Sequence, residues 1–269
     1  MKTVENYSQK NNSAFSNVMA RRTAEKEGAF FLKHLKENMQ VLDVGCGPGT
    51  ITLGFAQAVE HGTVIGVDFQ AEEVERAQIL SAERGITNLE FKVANAYQLP
   101  FADRSFDAVF GNALLWHLSE PQKALAEMKR VLKPGGIVGV RECDWGARIH
   151  EPMTETLKNW YDMTLKVRRH NAGNPHMGRG LSRLLLNADF ERVEISASVW
   201  SAGTSEEIKD CSSFLIAQLQ GFAKTTILPN EWMSPSELDA VVTEIELWSN
   251  QAGAFYMETY CEALGRVND

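Results

Sequence analysis

The chain has 269 residues and a formal charge of −8, from 27 basic and 35 acidic side chains. This acidic balance argues against nucleic acid as a partner, because binding a nucleic-acid backbone depends largely on attraction to phosphates. No apolar run approaches the length that spans a bilayer, and residues 1–12 lack the apolar segment of a signal peptide. We therefore expect a cytoplasmic protein without a membrane span.

Metal binding is not indicated by the cysteines or histidines. Four cysteines are scattered along the chain without C-x-x-C spacing, which argues against a zinc site or a disulfide framework. His150, His170 and His176 do not show the H-x-x-x-H spacing that places two ligands on one helical face. We predict no metal site.

The first forty residues predict an N-terminal helical cap. A polar start is followed by the segment Ala14–Met19 and then by a helix over Glu25–Lys36. The apolar residues of this helix, including Phe30 and Phe31, would pack on a sheet.

Residues 41–50, VLDVGCGPGT, predict a buried strand that enters a glycine loop and then a helix near Thr50. Glycine tolerates positive φ and has no side chain to hold off a ligand, and the helix start offers free N–H groups. The dinucleotide pattern G-x-G-x-x-G would place its third glycine at position 50, where this chain has threonine. The P-loop pattern G-x-x-x-x-G-K-[ST] is absent as well. A second strand over residues 62–68 ends at Asp68, whose carboxylate can accept hydrogen bonds from a ribose. A ribose is indicated, and a pyrophosphate is not.

Three further motifs follow in order. Strands are predicted over Leu89–Ala94 and Phe106–Phe110, and a helix ends in the turn KPGG at residues 133–136, before a fifth strand from Ile137. Together with the glycine loop, these motifs resemble the class I S-adenosylmethionine-dependent methyltransferases over about Met39–Val140. The resemblance is greatest to the small-molecule branch typified by the ubiquinone and menaquinone biosynthesis methyltransferases.

That resemblance implies a Rossmann-like α/β fold with a doubly wound, mostly parallel seven-stranded sheet and an antiparallel last strand. It implies S-adenosylmethionine as cofactor. Asp43 and the loop glycines would surround the methionine part, and Asp68 would hold the ribose. The complete cofactor set that the resemblance implies is Asp43, Gly45, Cys46, Gly47, Gly49, Asp68, Phe69, Asn95, Ala96 and Asn112.

Asn95 departs from the family pattern, which usually has aspartate followed by alanine beside the adenine. The amide oxygen of Asn95 can still accept a hydrogen bond from the adenine amino group, although it brings no charge. The alternative is that Asn95 is a turn residue at the end of a strand.

Candidates near the transferred methyl group follow the fourth and fifth strands. His117 is either a general base or a structural histidine beside the cofactor. Trp116 and Trp145 are expected to line the acceptor pocket.

Glu142 and Asp144 are the other catalytic candidates. By strand alternation they share one face, with Cys143 on the opposite face. Such a pair can share a proton, which would raise one pKa. The alternative is a set of structural salt bridges to Arg141, Arg148 or Arg179.

After Asp144 the alternation of strands and helices stops. The remaining predicted elements are helices over Pro152–Arg169 and Arg179–Asn187, a strand over Arg192–Trp200, helices over Ser205–Ala223 and Ser234–Asn250, and a strand over Ala254–Leu264. We expect one domain, 1–269, with a cap (1–40), a cofactor-binding core (41–143), a lid (144–178) and a C-terminal part (179–269) containing a helical excursion (201–253). The basic cluster Arg168–His170 is interpreted as a solvated helix end.

The leading hypothesis is methyl transfer from S-adenosylmethionine to an O, N or C nucleophile of a small apolar acceptor, such as a secondary metabolite. The reaction is an in-line displacement in which the protein mainly positions the two partners. Two alternatives are a protein of the same fold that catalyses another reaction, such as a cyclisation, and a non-catalytic partner protein. The intact glycine loop and Asp68 disfavour the last.

Overall fold

The computed structural model describes residues 19–268, which form a seven-stranded sheet with helices on both faces. The strands are β1 (Gln40–Val44), β2 (Thr63–Asp68), β3 (Leu89–Val93), β4 (Phe106–Asn112), β5 (Leu132–Glu151), β6 (Glu191–Ala202) and β7 (Phe255–Arg266). The α-helices are α1 (Ala24–Glu27), α2 (Ala29–Leu32), α3 (Thr50–Ala58), α4 (Ala71–Glu83), α5 (Pro121–Val131), α6 (Glu155–His170), α7 (Leu181–Asn187), α8 (Ser205–Phe222) and α9 (Pro235–Ser249). Short 3-10 helices cover Leu115–His117 and Gly178–Gly180, and a π-helix covers Ala223–Ile227.

The strand order is β3-β2-β1-β4-β5-β7-β6. Strands β1 to β5 pair in parallel, whereas β7 runs antiparallel to both of its neighbours. The predicted α/β fold with an antiparallel last strand is therefore confirmed. Parallel strands require crossover helices that cover both faces, and this explains why β1 and β4 are almost wholly buried.

Aromatic packing fixes the cap to one face of the sheet. The ring of Phe110 in β4 lies 5.1 Å from that of Phe31 and 4.8 Å from that of Phe55, between ring centroids. Phe30 and Phe31 are buried there, as predicted.

The predicted single helix over Glu25–Lys36 is wrong, because the chain forms two short helices that meet at Gly28. A Cβ at Gly28 would lie 2.9 Å from the ring of Phe55, so the chain passes very close to α3 there. Of the segment Ala14–Met19 of the predicted cap, only Met19 lies within the described residues.

The fifth strand is longer than predicted at both ends. Its pairing with β4 is interrupted between Leu132 and Ile137, where the predicted KPGG turn lies. Its pairing with β7 continues past an irregularity after Asp144 to Glu151. Residues 144–151 therefore belong to the sheet and not to a lid, because β7 continues to supply a hydrogen-bonding edge beyond the irregularity.

The elements of the second half lie within three residues of their predicted bounds. Strands β6 and β7 pair along most of their length, and α8, the π-helix and α9 lie between them in the chain. Two capping boxes mark the starts of α8 and α9, at Thr204 with Glu207 and at Ser234 with Glu237. None of the helices within residues 19–268 has the length and apolarity that crossing a bilayer requires.

Candidate active site

The glycine loop adopts backbone angles that favour glycine. Gly45, Gly47 and Gly49 have φ of +78°, +51° and +80°. The N–H groups of Gly45 and Cys46 donate to the carbonyl of Val67 at 2.7 and 3.0 Å, which ties the loop to the end of β2. A Cβ at Gly47 would meet nothing within 4 Å, so the loop backbone is open at that residue. A ligand can therefore approach the bare backbone there.

Two buried carboxylates stand on either side of this loop. Asp68 accepts hydrogen bonds from the N–H groups of Gly47 at 3.0 Å and Gln70 at 2.9 Å, and burial raises its pKa. Asp43 accepts a hydrogen bond from the hydroxyl of Thr52 at 2.7 Å, and burial raises its pKa to about 7. Buried acids of this kind favour a ligand that brings positive charge, because a cation stabilises their ionised form.

A cavity of about 440 Å³ extends from this loop to a set of aromatic side chains. We call its two parts the loop end and the aromatic end. The loop end is lined by Asp43, Gly45, Cys46, Gly47, Asp68, Phe69, Asn95 and Ala96. The aromatic end is lined by Trp116, Cys143, Trp145, Phe214, Phe222 and Tyr260. Asn112 and His117 also line the cavity.

Twelve of the fifteen residues predicted for the site thus lie in one cavity. Gly49 is outside its wall and has a different role. A Cβ there would lie 2.6 Å from the ring of Phe91 and 2.8 Å from the Cβ of Ala77, so this glycine lets the start of α3 pack closely on buried neighbours. Asn95 lines the cavity and also forms a turn, in which its Oδ1 accepts a hydrogen bond from Tyr97 N–H at 2.9 Å. The turn is therefore observed, and the contact of Asn95 with adenine stays a prediction.

Glu142 does not line the cavity, contrary to its interpretation as a catalytic group. Its carboxylate is fully buried and accepts hydrogen bonds from the N–H groups of Leu114 at 3.0 Å, Leu115 at 2.6 Å and Trp116 at 3.4 Å. Burial raises its pKa to about 8, against the opposing effect of these three donors. Glu142 thus holds the turn that presents Trp116 and His117 to the cavity, so we assign it a positioning role.

Replacing Glu142 with alanine is expected to loosen this turn. Each buried N–H left without a partner costs about 1–3 kcal/mol, so we expect a loss of stability of roughly 3 kcal/mol or more. Glu142→Gln keeps one acceptor oxygen in a side chain of the same shape and should lose much less. The measurements are urea unfolding and amide hydrogen exchange of residues 114–116. Wild-type protection of these amides in Glu142→Ala would contradict the positioning role.

Asp144 also lies away from the cavity, which argues against its predicted catalytic role. It accepts hydrogen bonds from Arg179 at 2.5 and 2.8 Å and contacts Nδ1 of His176 at 3.4 Å. Burial alone would raise the pKa of Asp144, but the hydrogen bonds from Arg179 and His176 hold it below its ordinary value. The salt-bridge alternative therefore describes Asp144, and the partner is Arg179.

His117 and Arg168 lie close to the aromatic end. Burial, followed by the charges of Arg168 and Arg22, lowers the pKa of His117 well below its ordinary value. The imidazole is therefore neutral near pH 7. Arg168 was expected at a solvated helix end, but its side chain is buried with a relative exposure of 2%. Its guanidinium carbon lies 3.7 Å from the ring centre of Trp145, whereas the next residue, Arg169, is exposed.

Sequence reasoning missed several residues that the fold brings to the cavity. Arg22, Cys143 and Tyr260 line it from three distant segments. Phe214, Gln218 and Phe222 line it from α8, where their spacing of four residues places them on one helical face. That spacing was the available signal, but it also describes ordinary core packing. Among residues 19–268, no group of three or more His, Cys, Asp or Glu side chains is arranged to hold a metal ion.

Residues 35–194 match the family model described as a methyltransferase domain. The chain belongs to this methyltransferase family. The match confirms the predicted class of enzyme, an S-adenosylmethionine-dependent methyltransferase, and the predicted cofactor. The glycine loop lies within the matched segment.

Two relatives agree with this assignment. An uncharacterized methyltransferase of Schizosaccharomyces pombe is 35% identical over 77% of either chain. A probable methyltransferase of Aspergillus luteorubrus is 31% identical over 96% of either chain. In three dimensions the chain is similar to phosphoethanolamine N-methyltransferase 2 of Haemonchus contortus, solved with S-adenosylhomocysteine, at a TM-score of 0.58. That likeness, at 17% identity over 97% of this chain and 58% of the other, shows a shared fold.

Proposed function

We propose that this methyltransferase acts on a small, largely apolar acceptor that binds at the aromatic end of the cavity. The observation that carries the proposal is that one cavity joins the glycine loop to the aromatic side chains. Its volume of about 440 Å³ falls within the range of small-molecule sites, about 300–1,000 Å³. A reaction by direct displacement needs this continuity, because the nucleophile must reach the methyl carbon opposite the sulfur.

The residues of the loop end would hold the cofactor in the predicted way. Asp68 would accept hydrogen bonds from the ribose hydroxyls, while Asn95 and Ala96 would lie beside the adenine. Asp43 and the backbone at Gly45–Gly47 would surround the methionine part. The sulfonium of S-adenosylmethionine is a cation, and this suits a cavity end that carries two buried carboxylates.

Arg22 is a further residue that we assign to cofactor binding. It is the one lysine or arginine among the described residues that line the cavity. Within residues 19–268 it forms no salt bridge, and its charge acts on His117 and Tyr260. The cofactor carries one carboxylate, on its methionine part, and a guanidinium is the group best suited to bind it. We therefore assign Arg22 to that carboxylate.

Two side-chain functions remain for the reaction itself. The cofactor supplies the activated methyl group, so the protein has to orient the acceptor and keep water away. The aromatic end does both, because its side chains are apolar and largely buried. Of the two interpretations of His117, its lowered pKa favours the structural histidine, because an imidazole with a low pKa is a weak base.

The test uses the purified protein with S-adenosylmethionine carrying a labelled methyl group and a small-molecule extract. We expect label to enter a low-molecular-weight product, with an equal amount of S-adenosylhomocysteine formed. The matched background is the Asp68→Ala protein under the same conditions. Label found only in protein or nucleic acid would overturn the small-acceptor proposal. An extract component transformed without formation of S-adenosylhomocysteine would indicate the cyclase alternative.

A further inference from the structure

Two arginines lie directly behind the aromatic end of the cavity, Arg168 buried and Arg148 half-buried. The guanidinium carbon of Arg168, in α6, lies 3.7 Å from the ring centre of Trp145, 4.9 Å from that of Phe222 and 5.2 Å from that of Trp116. All three rings line the cavity. The guanidinium carbon of Arg148, in β5, lies 5.3 Å from the ring centre of Trp145. One aromatic layer thus separates the cavity from buried positive charge.

The hydrogen bonds of these arginines are incomplete. Arg168 donates from Nη1 to the carbonyl of Thr164 at 3.2 Å, while its Nε and Nη2 have no hydrogen-bond partner. Arg148 donates from Nε to the carbonyl of Trp145 and from Nη2 to the hydroxyl of Thr164, while its Nη1 has no partner. A buried cation with unpaired donors is costly unless a negative charge lies nearby.

The charge balance around Arg168 is positive. The titratable groups that act on it are Arg148 and Cys143 of β5 and Glu258 and Tyr256 of β7. Burial, followed by the charge of Arg148, lowers the pKa of Arg168 to about 9. Both oxygens of Glu258 accept hydrogen bonds from tyrosine hydroxyls, at 2.5 Å from Tyr256 and 3.1 Å from Tyr260. Arg168 and Arg148 are thus both acted on by one buried carboxylate, that of Glu258, which forms a salt bridge with neither of them.

The aromatic end supplies no negative charge of its own. The acidic residues among the described residues that line the cavity are Asp43, Asp68 and Glu73, which all belong to the loop end or to the start of α4 beside it. Burial raises the pKa of the Cys143 thiol well above its ordinary value, so this thiol is neutral. His117 is neutral for the reason given above. An acceptor carrying a positive charge would find no counter-ion there, whereas an anion would face Arg168 through the ring of Trp145.

We propose that the acceptor is a flat ring compound with an acidic hydroxyl group, a phenol or an enol, which stacks on Trp145 and reacts as its oxyanion. This inference rests on the proposed function and specifies the acceptor class. The charge of Arg168, acting across one ring, favours the oxyanion over the neutral hydroxyl, since a low-dielectric site screens the charge weakly. Arg168 does not touch the acceptor and is therefore a positioning residue.

The reaction then balances without a further reactant. The acceptor hydroxyl loses its proton to water, which leaves the electron pair on the acceptor oxygen. His117 does not keep this proton, because its pKa lies well below the ordinary value. The oxygen would then bond to the methyl carbon while the carbon–sulfur bond breaks with its electrons remaining on the sulfur, and the products would be the methyl ether and the neutral thioether S-adenosylhomocysteine.

The experiment measures the ionisation of a bound probe by absorbance. The probe is 4-nitrophenol, whose phenolate absorbs at longer wavelength than the phenol, and the protein is saturated with S-adenosylhomocysteine so that no turnover occurs. We expect the pKa of the bound probe to lie about one pH unit below that of the free probe, the scale of a buried charge acting across one ring. 4-Nitroaniline, which has the same shape and stays neutral, should bind more weakly at pH 8.

Matched variants assign the effect to Arg168. In Arg168→Met the pKa of bound 4-nitrophenol should return to that of the free probe, and affinity for the phenolate should fall about tenfold. Affinity for 4-nitroaniline should change less than twofold. Arg169→Met removes the same charge from the next residue of α6, which is exposed, and should leave the probe unchanged. Arg168→Lys keeps the charge, so it should retain most of the shift even if Arg168→Met fails to fold.

Three results would overturn the inference: an unshifted or raised pKa for the bound probe in the wild type, equal shifts in Arg168→Met and Arg169→Met, or no binding of 4-nitrophenol by protein that binds S-adenosylhomocysteine. Each would leave the proposed function standing, because that proposal is tested by label transfer to a small molecule from an extract.

Discussion

Replacing Gly49 with alanine is expected to destabilise the fold by about 2–5 kcal/mol and to abolish cofactor binding at micromolar concentrations. The left-handed backbone at this residue costs a non-glycine side chain about 1–2 kcal/mol. Overpacking of a buried core typically costs about 1–3 kcal/mol more. Here the added Cβ would meet the ring of Phe91 at 2.6 Å and the Cβ of Ala77 at 2.8 Å, and both neighbours are buried. Relief of that contact would displace the start of α3 and the glycine loop with it.

Gly85 provides the control for the backbone term. It also has a positive φ, +65°, but a Cβ there would meet nothing within 4 Å. Gly85→Ala should therefore show the conformational cost alone and bind S-adenosylmethionine normally. The measurements are urea unfolding and calorimetry with the cofactor. Equal losses of stability in the two variants would mean that close packing at Gly49 contributes nothing.

Replacing Asp68 with alanine is expected to weaken cofactor binding by about 1–3 kcal/mol, or roughly 5- to 150-fold. In the structure this carboxylate already accepts hydrogen bonds from Gly47 and Gln70, so the substitution removes a support of the loop as well as the proposed ribose contact. Calorimetry gives the total loss. Asp68→Asn, which keeps one carbonyl oxygen, should lose less than the alanine variant.

A double-mutant cycle with the ligand separates the ribose contact from the loop support. S-adenosylhomocysteine and its 2′-deoxy analogue are compared in the wild type and in Asp68→Ala. The wild type should prefer the complete ribose, and the variant should bind both ligands equally. The same preference in both proteins would show that Asp68 supports the loop but does not bind the ribose.

The loop end was predictable because its parts are local in sequence. The glycine spacing, the following helix start and Asp68 at the end of the next strand all lie within residues 41–68. Each part has a conformational requirement that few residue types satisfy. Such requirements leave a recognisable pattern in the sequence, and five of the twelve predicted residues that line the cavity come from this segment.

The aromatic end was only partly predictable because it is assembled from distant segments. Trp145 was predicted from its place after a strand, but Phe214, Phe222 and Tyr260 reach the cavity from α8 and β7. An aromatic residue on a helix face is apolar whether it faces a ligand or the core, so the sequence alone does not distinguish the two.

The surroundings of charged residues in and near β5 differ from those predicted, for a related reason. Glu142 and Asp144 share a strand face as predicted, yet each is engaged by groups from a different segment, the backbone at residues 114–116 and Arg179. Arg168 carries the charge of a helix-end residue but is buried against Trp145. The partners that decide the roles of these charged residues come from distant segments of the chain, so the local sequence pattern does not reveal them.

The antiparallel pairing of β6 with β7 has a consequence for how acceptor preference can be altered. Ala202 pairs with Tyr256, so the segment between these residues leaves the sheet and returns to it at neighbouring positions. It forms a cassette that includes Phe214, Gln218 and Phe222 and none of the glycine loop or Asp68. Exchange of residues 203–254 between relatives would graft a new acceptor wall onto an unchanged methyl-donor site.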